Sequence, residues 1–328
     1  VSKVYLVKDV ERLEEALNVA GVEKFAGFEV PVKLHMGELG CSTYVSPRVA
    51  KIVVEKLKAV GARPFLLDST VVYVSPRATV AGYKVVAKVH GFSEKSMGCP
   101  VKIDSRGVKV EVGGHEFEVI ESIYKSQCIL VLSHAKGHGL SGFGGAIKNL
   151  GMGGVTKKTK AFIHQGAKPA WDESRCTFCG ACAAVCSFKA IKVEQNRWKL
   201  NKRKCFGCGK CVEACPSGAL RYKVGNFQDM LALAAKACVQ GKDVIYVNAL
   251  VNITKYCDCY PRQQKPICPD IGYLVSRDAV AIDKASLDLI NQIKPGLFEK
   301  LHKVDPYRQV RYGAKIGLGS EDYELVEL

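Results

Sequence analysis

The chain has 328 residues, 48% of them hydrophobic and 24% charged, with 15 cysteines and a formal charge of +16. That length holds one large domain or two to three small ones, and the composition excludes a disordered or collagen-like chain. No apolar run approaches the roughly 18 residues of a membrane-spanning helix, and charges interrupt the apolar stretch of residues 1–10, so a soluble cytoplasmic protein is expected.

In chain order, residues 1–7 read as a strand and 12–21 as a helix closed by Gly21. Residues 30–34 are a strand, 47–61 an amphipathic helix begun by Pro47, and 63–67 a short strand. The loop 33–43, carrying His35, Glu38 and Cys41, is a candidate site wall or simply a polar strand–helix connection. Residues 68–70 and Arg77 with Thr79 share that polar character.

Residues 129–132 form a buried strand that runs into a glycine-rich stretch, 132–154. Glycines there let backbone N–H groups approach an anion. It is not a Walker A loop, because Gly145 is followed by Ala146, Ile147, Lys148 and Asn149. It lies where open α/β sheets place ligands, beyond the carboxyl end of a strand. His134, Lys136, His138 and Lys148 are therefore the candidate catalytic groups. Gly142, Gly144, Gly145 and Asn149, with Glu38, are the candidate ligand- or cofactor-binding residues. The alternative is that the glycines only pack tight turns.

Next comes the strongest signal. Cys176, Cys179, Cys182 and Cys186 repeat 29 residues later as Cys205, Cys208, Cys211 and Cys215, the last followed by Pro216. Each run has the spacing of a bacterial [4Fe–4S] ferredoxin, whose fourth cysteine serves the other cluster. One set is then Cys176, Cys179, Cys182 and Cys215, the other Cys205, Cys208, Cys211 and Cys186. Ser187 stands where Pro usually follows the fourth ligand. The residues between the runs read as a hairpin, 190–193 with 198–200. Between Gly151 and Gly225, 15 Lys and Arg stand against four acids. Such an excess suits an acidic soluble redox partner better than nucleic acid, since no nucleic-acid-binding motif accompanies it.

Beyond it, residues 227–239 read as a helix, 244–247 as a strand and 279–293 as a helix. Cys257, Cys259 and Cys268, alone or with Cys41 or Cys99, are candidates for a further metal site, or else ordinary buried thiols. Cys128 and Cys238 read as core, and Asp278 and Asp283 as helix-start and surface acids. The economical organisation is a discontinuous α/β domain, residues 1–169 and 225–328, with an inserted α+β ferredoxin-like domain at 170–224. Three domains in tandem is the alternative.

Several segments resemble the domain of unknown function 362 family. They are Gly37-Glu38 with Gly40, Lys136 to His138 with residues 144–153, Cys257-Asp258-Cys259 with residues 269–272, and Ser276 to Asp283, where the family usually has Pro at Ala279. The resemblance spans nearly the whole chain and implies one discontinuous α/β domain; members with an inserted ferredoxin pair are iron–sulfur proteins of uncertain activity. A remoter fold-level similarity is to nickel-pincer lactate racemases. The leading expectation is an iron–sulfur oxidoreductase or electron-transfer protein, with electrons passing to a small-molecule ligand or metal held by the α/β domain. A non-catalytic electron carrier or assembly factor, a redox-sensitive nucleic-acid binder and a hydroxyacid-type racemase are the competing classes.

Overall fold

The computed structural model describes residues 1–328. Eight strands build one sheet: β1 (Ser2–Val7), β2 (Glu29–Lys33), β3 (Arg63–Ser69), β4 (Val101–Asp104), β5 (Cys128–His134), β6 (Asp243–Leu250), β7 (Gly272–Ser276) and β8 (Tyr323–Glu327). Their order is β8-β1-β7-β6-β5-β2-β3-β4. β7 runs against both neighbours, and every other pairing is parallel. Strands from both sides of the cysteine-rich segment share this sheet, with β5 and β6 as parallel neighbours.

The inner strands carry unbroken apolar runs at their centres because both faces are covered. In β5, Ile129 and Val131 enter one core cluster, while Leu130 and Leu132 enter the other. Helices α1 (Pro47–Ala59) and α2 (Val80–Val89) pack on the second face. On the first face lie α3 (Ala146–Gly153), α4 (Lys157–Gly166), α5 (Phe227–Val239) and α6 (Ala279–Ile293). The chain is thus a layered α/β structure with a mostly parallel sheet.

Most expected elements lie where the sequence puts them, with shifted ends. β3, β5 and β6 extend further, and the first helix splits into a short 3-10 turn, Val10–Arg12, and an α-helix, Leu13–Val19. Residues 70–127 hold α2, β4 and a hairpin of Gly107–Val112 with His115–Ile120. Its first strand mostly alternates exposed and partly buried residues, and its second buries Phe117, Val119 and Ile120, but charged residues interrupt the apolar ones so no run announces it.

Asp283 corrects one expectation. It is fully buried, not a surface acid. The residue before α3 is Gly145, which has no side chain to cap the helix. Asp283 does so from α6, accepting from Ala146 N at 2.7 Å, Ile147 N at 2.9 Å and Asn248 Nδ2 at 2.8 Å. A Cβ on Gly145 would collide with that carboxylate, which explains the glycine. Burial raises the Asp283 carboxyl to about 6, against the pull of these three donors. Asp278 is a helix-start acid as expected, capping α6 through Val280 N and Ala281 N.

Residues 169–222 form a small unit against this body. Pro169–Trp171 pairs with Leu220–Tyr222, and Ile191–Glu194 forms a hairpin with Arg197–Leu200. Two four-residue helices, Ala181–Ala184 and Lys210–Glu213, each follow a glycine in the left-handed conformation, Gly180 or Gly209. Both glycines come one residue after the second cysteine of a run. The structural repeat follows the sequence repeat.

Removing the α3 cap tests its weight. Asp283→Ala strands two buried N–H groups and is expected to destabilise the protein by about 2–4 kcal/mol. A lower thermal midpoint by circular dichroism, with Asp283→Asn retaining more of the stability, is the expected outcome.

Candidate functional site

The strand order reverses beside β2. The chain lays down β2, β3 and β4 outward, then returns to place β5 on the other side of β2 and β6 beyond it. Loops leaving neighbouring strands diverge at such a point and open a crevice at their carboxyl ends. A cavity of about 490 Å³ lies there. Lys33 ends β2 and His35 follows it, Asp68 and Ser69 end β3, and Ser133 and His134 end β5.

All four candidate catalytic residues, His134, Lys136, His138 and Lys148, line it, as do Gly144, Gly145 and Asn149. Gly142 and Glu38 do not. Gly142 packs against Pro306, where a Cβ would come within 3.0 Å. Glu38 is buried behind the wall, accepting from Ser75 Oγ at 2.8 Å and pairing with Arg77 at 3.5 Å. Asn149 spends its amide on structure: Nδ2 donates to Leu132 O and Ser133 Oγ, and Oδ1 accepts from Lys33 Nζ.

The cavity is cationic. Lys33, Arg77, Lys136, Lys148, Lys160 and Lys168 line it against two carboxylates, Asp68 and Asp258. Asp68 takes Lys33 at 2.9 Å and the Tyr83 hydroxyl. Lys136 donates to Asp258 and to Thr43 Oγ1 at 3.0 Å. Burial would raise the Asp258 carboxyl, but His134 and Lys136 hold it well below the usual range. Lys160 donates to Ser69 Oγ and Thr70 O, and burial brings its amine down to about 7, with Asp68 opposing. Lys148 has no hydrogen-bond or ion-pair partner, so its ammonium faces open cavity.

Four histidines share the wall. His134 Nε2 bonds Val251 O at 2.6 Å, leaving Nδ1 buried without a hydrogen bond beside Asp258. Burial and Lys136 lower His134, and burial and Lys148 lower both His138 and, to about 4, His164. His138 and His164 pack on Phe227. Gly37 N–H fills Nδ1 of His35 at 3.1 Å, so the ring proton sits on Nε2, 3.2 Å from Cys259 Sγ.

Cys257 and Cys259 line the cavity with Asp258 between them, whereas Cys268 is packed in the hydrophobic core. The three therefore do not share a site. Cys41 lies behind Asp258, 3.7 Å from Thr43 Oγ1, and Cys99 is in the core. No three His, Cys, Asp or Glu side chains converge to hold a single metal ion. Cys257 and Cys259 interact side chain to side chain, and this contact, with His35, holds Cys259 well below and Cys257 well above the ordinary thiol value.

The cysteine-rich unit reaches the same cavity. Cys205 and Phe206 are part of its wall. The following Gly207 packs so closely on α4 that a Cβ would meet His164 O at 2.9 Å. Within the unit, Cys176, Cys179, Cys182 and Cys215 surround one small void, and Cys186, Cys205, Cys208 and Cys211 another.

A family model described as Domain of unknown function (DUF362) matches residues 30–288. The chain belongs to that family. No curated protein matches this DUF362 chain. Among solved structures, a Thermotoga maritima protein is 11% identical with a TM-score of 0.46, covering 87% of this chain and 59% of its own length. The lactate racemase apoprotein from Thermoanaerobacterium thermosaccharolyticum is 12% identical with a TM-score of 0.37, covering 76% of this chain and 50% of its own. The chain thus spans only part of either protein.

Sequence reading missed Lys160, His164, Lys168 and Phe227. These lie on helices or a loop distant in sequence, and only α4 and α5 packing beside the sheet brings them inward. Lys160 offers a direct check. Its amine is charged below pH 7 and neutral above, so the cavity loses a positive charge between about pH 6 and 8. Lysine-selective NMR should show one resonance titrating near pH 7 that disappears in Lys160→Met.

Proposed function

We propose that this DUF362 protein is an iron–sulfur electron-transfer protein or oxidoreductase. In this reading, residues 170–224 form a 2[4Fe–4S] ferredoxin-like insert that feeds electrons to an anionic ligand in the cavity. The carrying observation is that Cys205, a ligand in one expected cluster, is also a wall residue of that cavity.

The donor set fits the group. The two voids divide the eight thiols into the two sets expected from the crossed ferredoxin pattern. A cubane spreads its thiolates over separate irons, so the absence of a single-ion site is consistent with it. The indole N–H groups of Trp171 and Trp198, stacked at 5.3 Å, are buried without an oxygen or nitrogen partner and border the first void. Sulfur acceptors there would satisfy them. When bound, the two clusters supply single-electron transfer.

The chain's own groups support a direction and a ligand class. Cys179 is exposed, whereas Cys205 lines the cavity, so the first set of thiols would hold the cluster nearer solvent and the second the cluster nearer the ligand. Exposed Lys192, Arg197, Lys199, Lys202, Arg203 and Lys204 suit an acidic donor protein. Inside, Lys148 attracts and orients an anion, and His134 Nδ1, without a hydrogen bond 3.3 Å from Asp258, can accept or return a proton.

Anaerobic preparations should contain about eight irons and eight sulfides per chain, with broad visible absorption that bleaches on reduction. Cys205→Ala should lower iron by about half, while Lys148→Ala leaves it unchanged and weakens anion binding. Colourless protein carrying zinc would overturn the reading.

A further inference from the structure

Cys257 and Cys259 have no part in the cluster sets, yet both thiols face the cavity from a loop pinned at its centre. Asp258 does the pinning: its carboxylate is held by Lys136, and its carbonyl accepts from Glu38 N at 2.9 Å. The flanking thiols are thereby fixed beside each other. His35 donates its Nε2 proton toward Cys259 Sγ, a contact that favours thiolate at that position. Cys259 is thus the nucleophile and Cys257 the resolving thiol.

We propose that Cys257 and Cys259 form a reversible dithiol–disulfide pair that reduces a small anionic disulfide bound in the cavity. Cys259 thiolate attacks one sulfur of the substrate, forming a mixed disulfide and releasing the first thiolate, which takes a proton. Cys257, losing its proton, attacks Cys259 Sγ, closing the protein disulfide and releasing the second thiolate. The substrate gains two electrons and two protons; the pair gives up the two electrons and the Cys257 proton, and solvent supplies the other proton. The pair is restored to thiolate and thiol by two electrons from a low-potential one-electron donor and one proton from solvent. This regeneration rests on the proposed function, with Cys205 on the same wall as the pair; the exchange itself does not.

The cavity chooses the charge of the substrate. Lys148 is unpaired, and positive groups outnumber carboxylates. A dicarboxylate disulfide is therefore favoured over a diamine disulfide of equal length.

The test uses anaerobic full-length protein with dithiodiglycolate and cystamine as probes. Thiols are alkylated before and after exposure and mapped by mass spectrometry. The expected result is loss of two alkylatable thiols, mapped to Cys257–Cys259, about tenfold faster with dithiodiglycolate. Lys148→Ala should narrow that ratio. Cys257→Ser should stop at a mixed disulfide on Cys259, a trapped species that a structural role would not produce. Reduced methyl viologen should then restore both thiols in the wild type faster than in Cys205→Ala.

Free Cys257 and Cys259 after exposure, with iron and sulfide content intact, would overturn the pair and leave the iron–sulfur reading standing. Oxidation without charge preference would overturn the substrate class. Normal oxidation in protein lacking clusters would support the exchange and overturn the iron–sulfur reading with its regeneration route.

Discussion

The site depends on two carboxylates that are expensive to bury alone. Asp68 and Asp258 lie in the protein interior, where an unpaired charge costs several kcal/mol. Each is stable only if cations arrive from other segments: Lys33 and Arg77 at Asp68, and Lys136 at Asp258, where His134 Nδ1 also lies 3.3 Å away. Those partners come from the end of β2, from the residues after β5 and from the 3-10 turn Pro76–Ala78 before α2. Charge pairing therefore ties together segments that hydrophobic packing alone would leave as independent surface loops.

The cations exceed what the carboxylates neutralise, and this excess gives the cavity its chemistry. Lys33 and Lys136 are consumed by the ion pairs, and Lys160 by oxygen acceptors of β3 and the residue after it. Lys148 is left over. It stands one turn into α3, whose start is fixed by the buried Asp283, so a structural carboxylate on another helix sets the position of the free ammonium. Fold and site are joined at that cap.

Sequence patterns made β1, β2, β3, β5 and β6 legible because each carries an apolar run, as in β5. They missed β7, which is buried throughout but has only the short apolar run Tyr273–Val275. They also missed β8, where burial is partial, and the hairpin after β4, whose apolar residues are interrupted by charged ones. The glycine-rich stretch and its His and Lys residues were readable because they immediately follow a strand. Lys160, His164 and Lys168 were not, since nothing local separates them from solvated residues of a basic segment. Asp283 was misread for a related reason: its partners, Ala146 and Ile147 N–H, lie well over a hundred residues away in sequence, and its burial exists only after α3 and α6 pack. The cysteine spacing was legible without tertiary information because the repeat itself encodes two short loop–helix units.

If the cavity receives electrons as proposed, its cationic character would have a use. Each electron added to a ligand in a low-dielectric site adds negative charge, whose cost grows as water is excluded. Fixed ammonium groups lower that cost before the electron arrives, and a group titrating near neutrality lowers it further by retaining its proton once negative charge appears nearby. Lys160, brought to about 7 by burial, is poised for that response, although its hydrogen bonds to Ser69 and Thr70 hold it in the wall. His138 and His164 are held neutral by burial and Lys148, so they can receive protons as the ligand becomes more negative. The same burial that makes these bases reluctant to charge in the resting cavity would, under that proposal, make their charging depend on reduction and couple proton uptake to electron arrival.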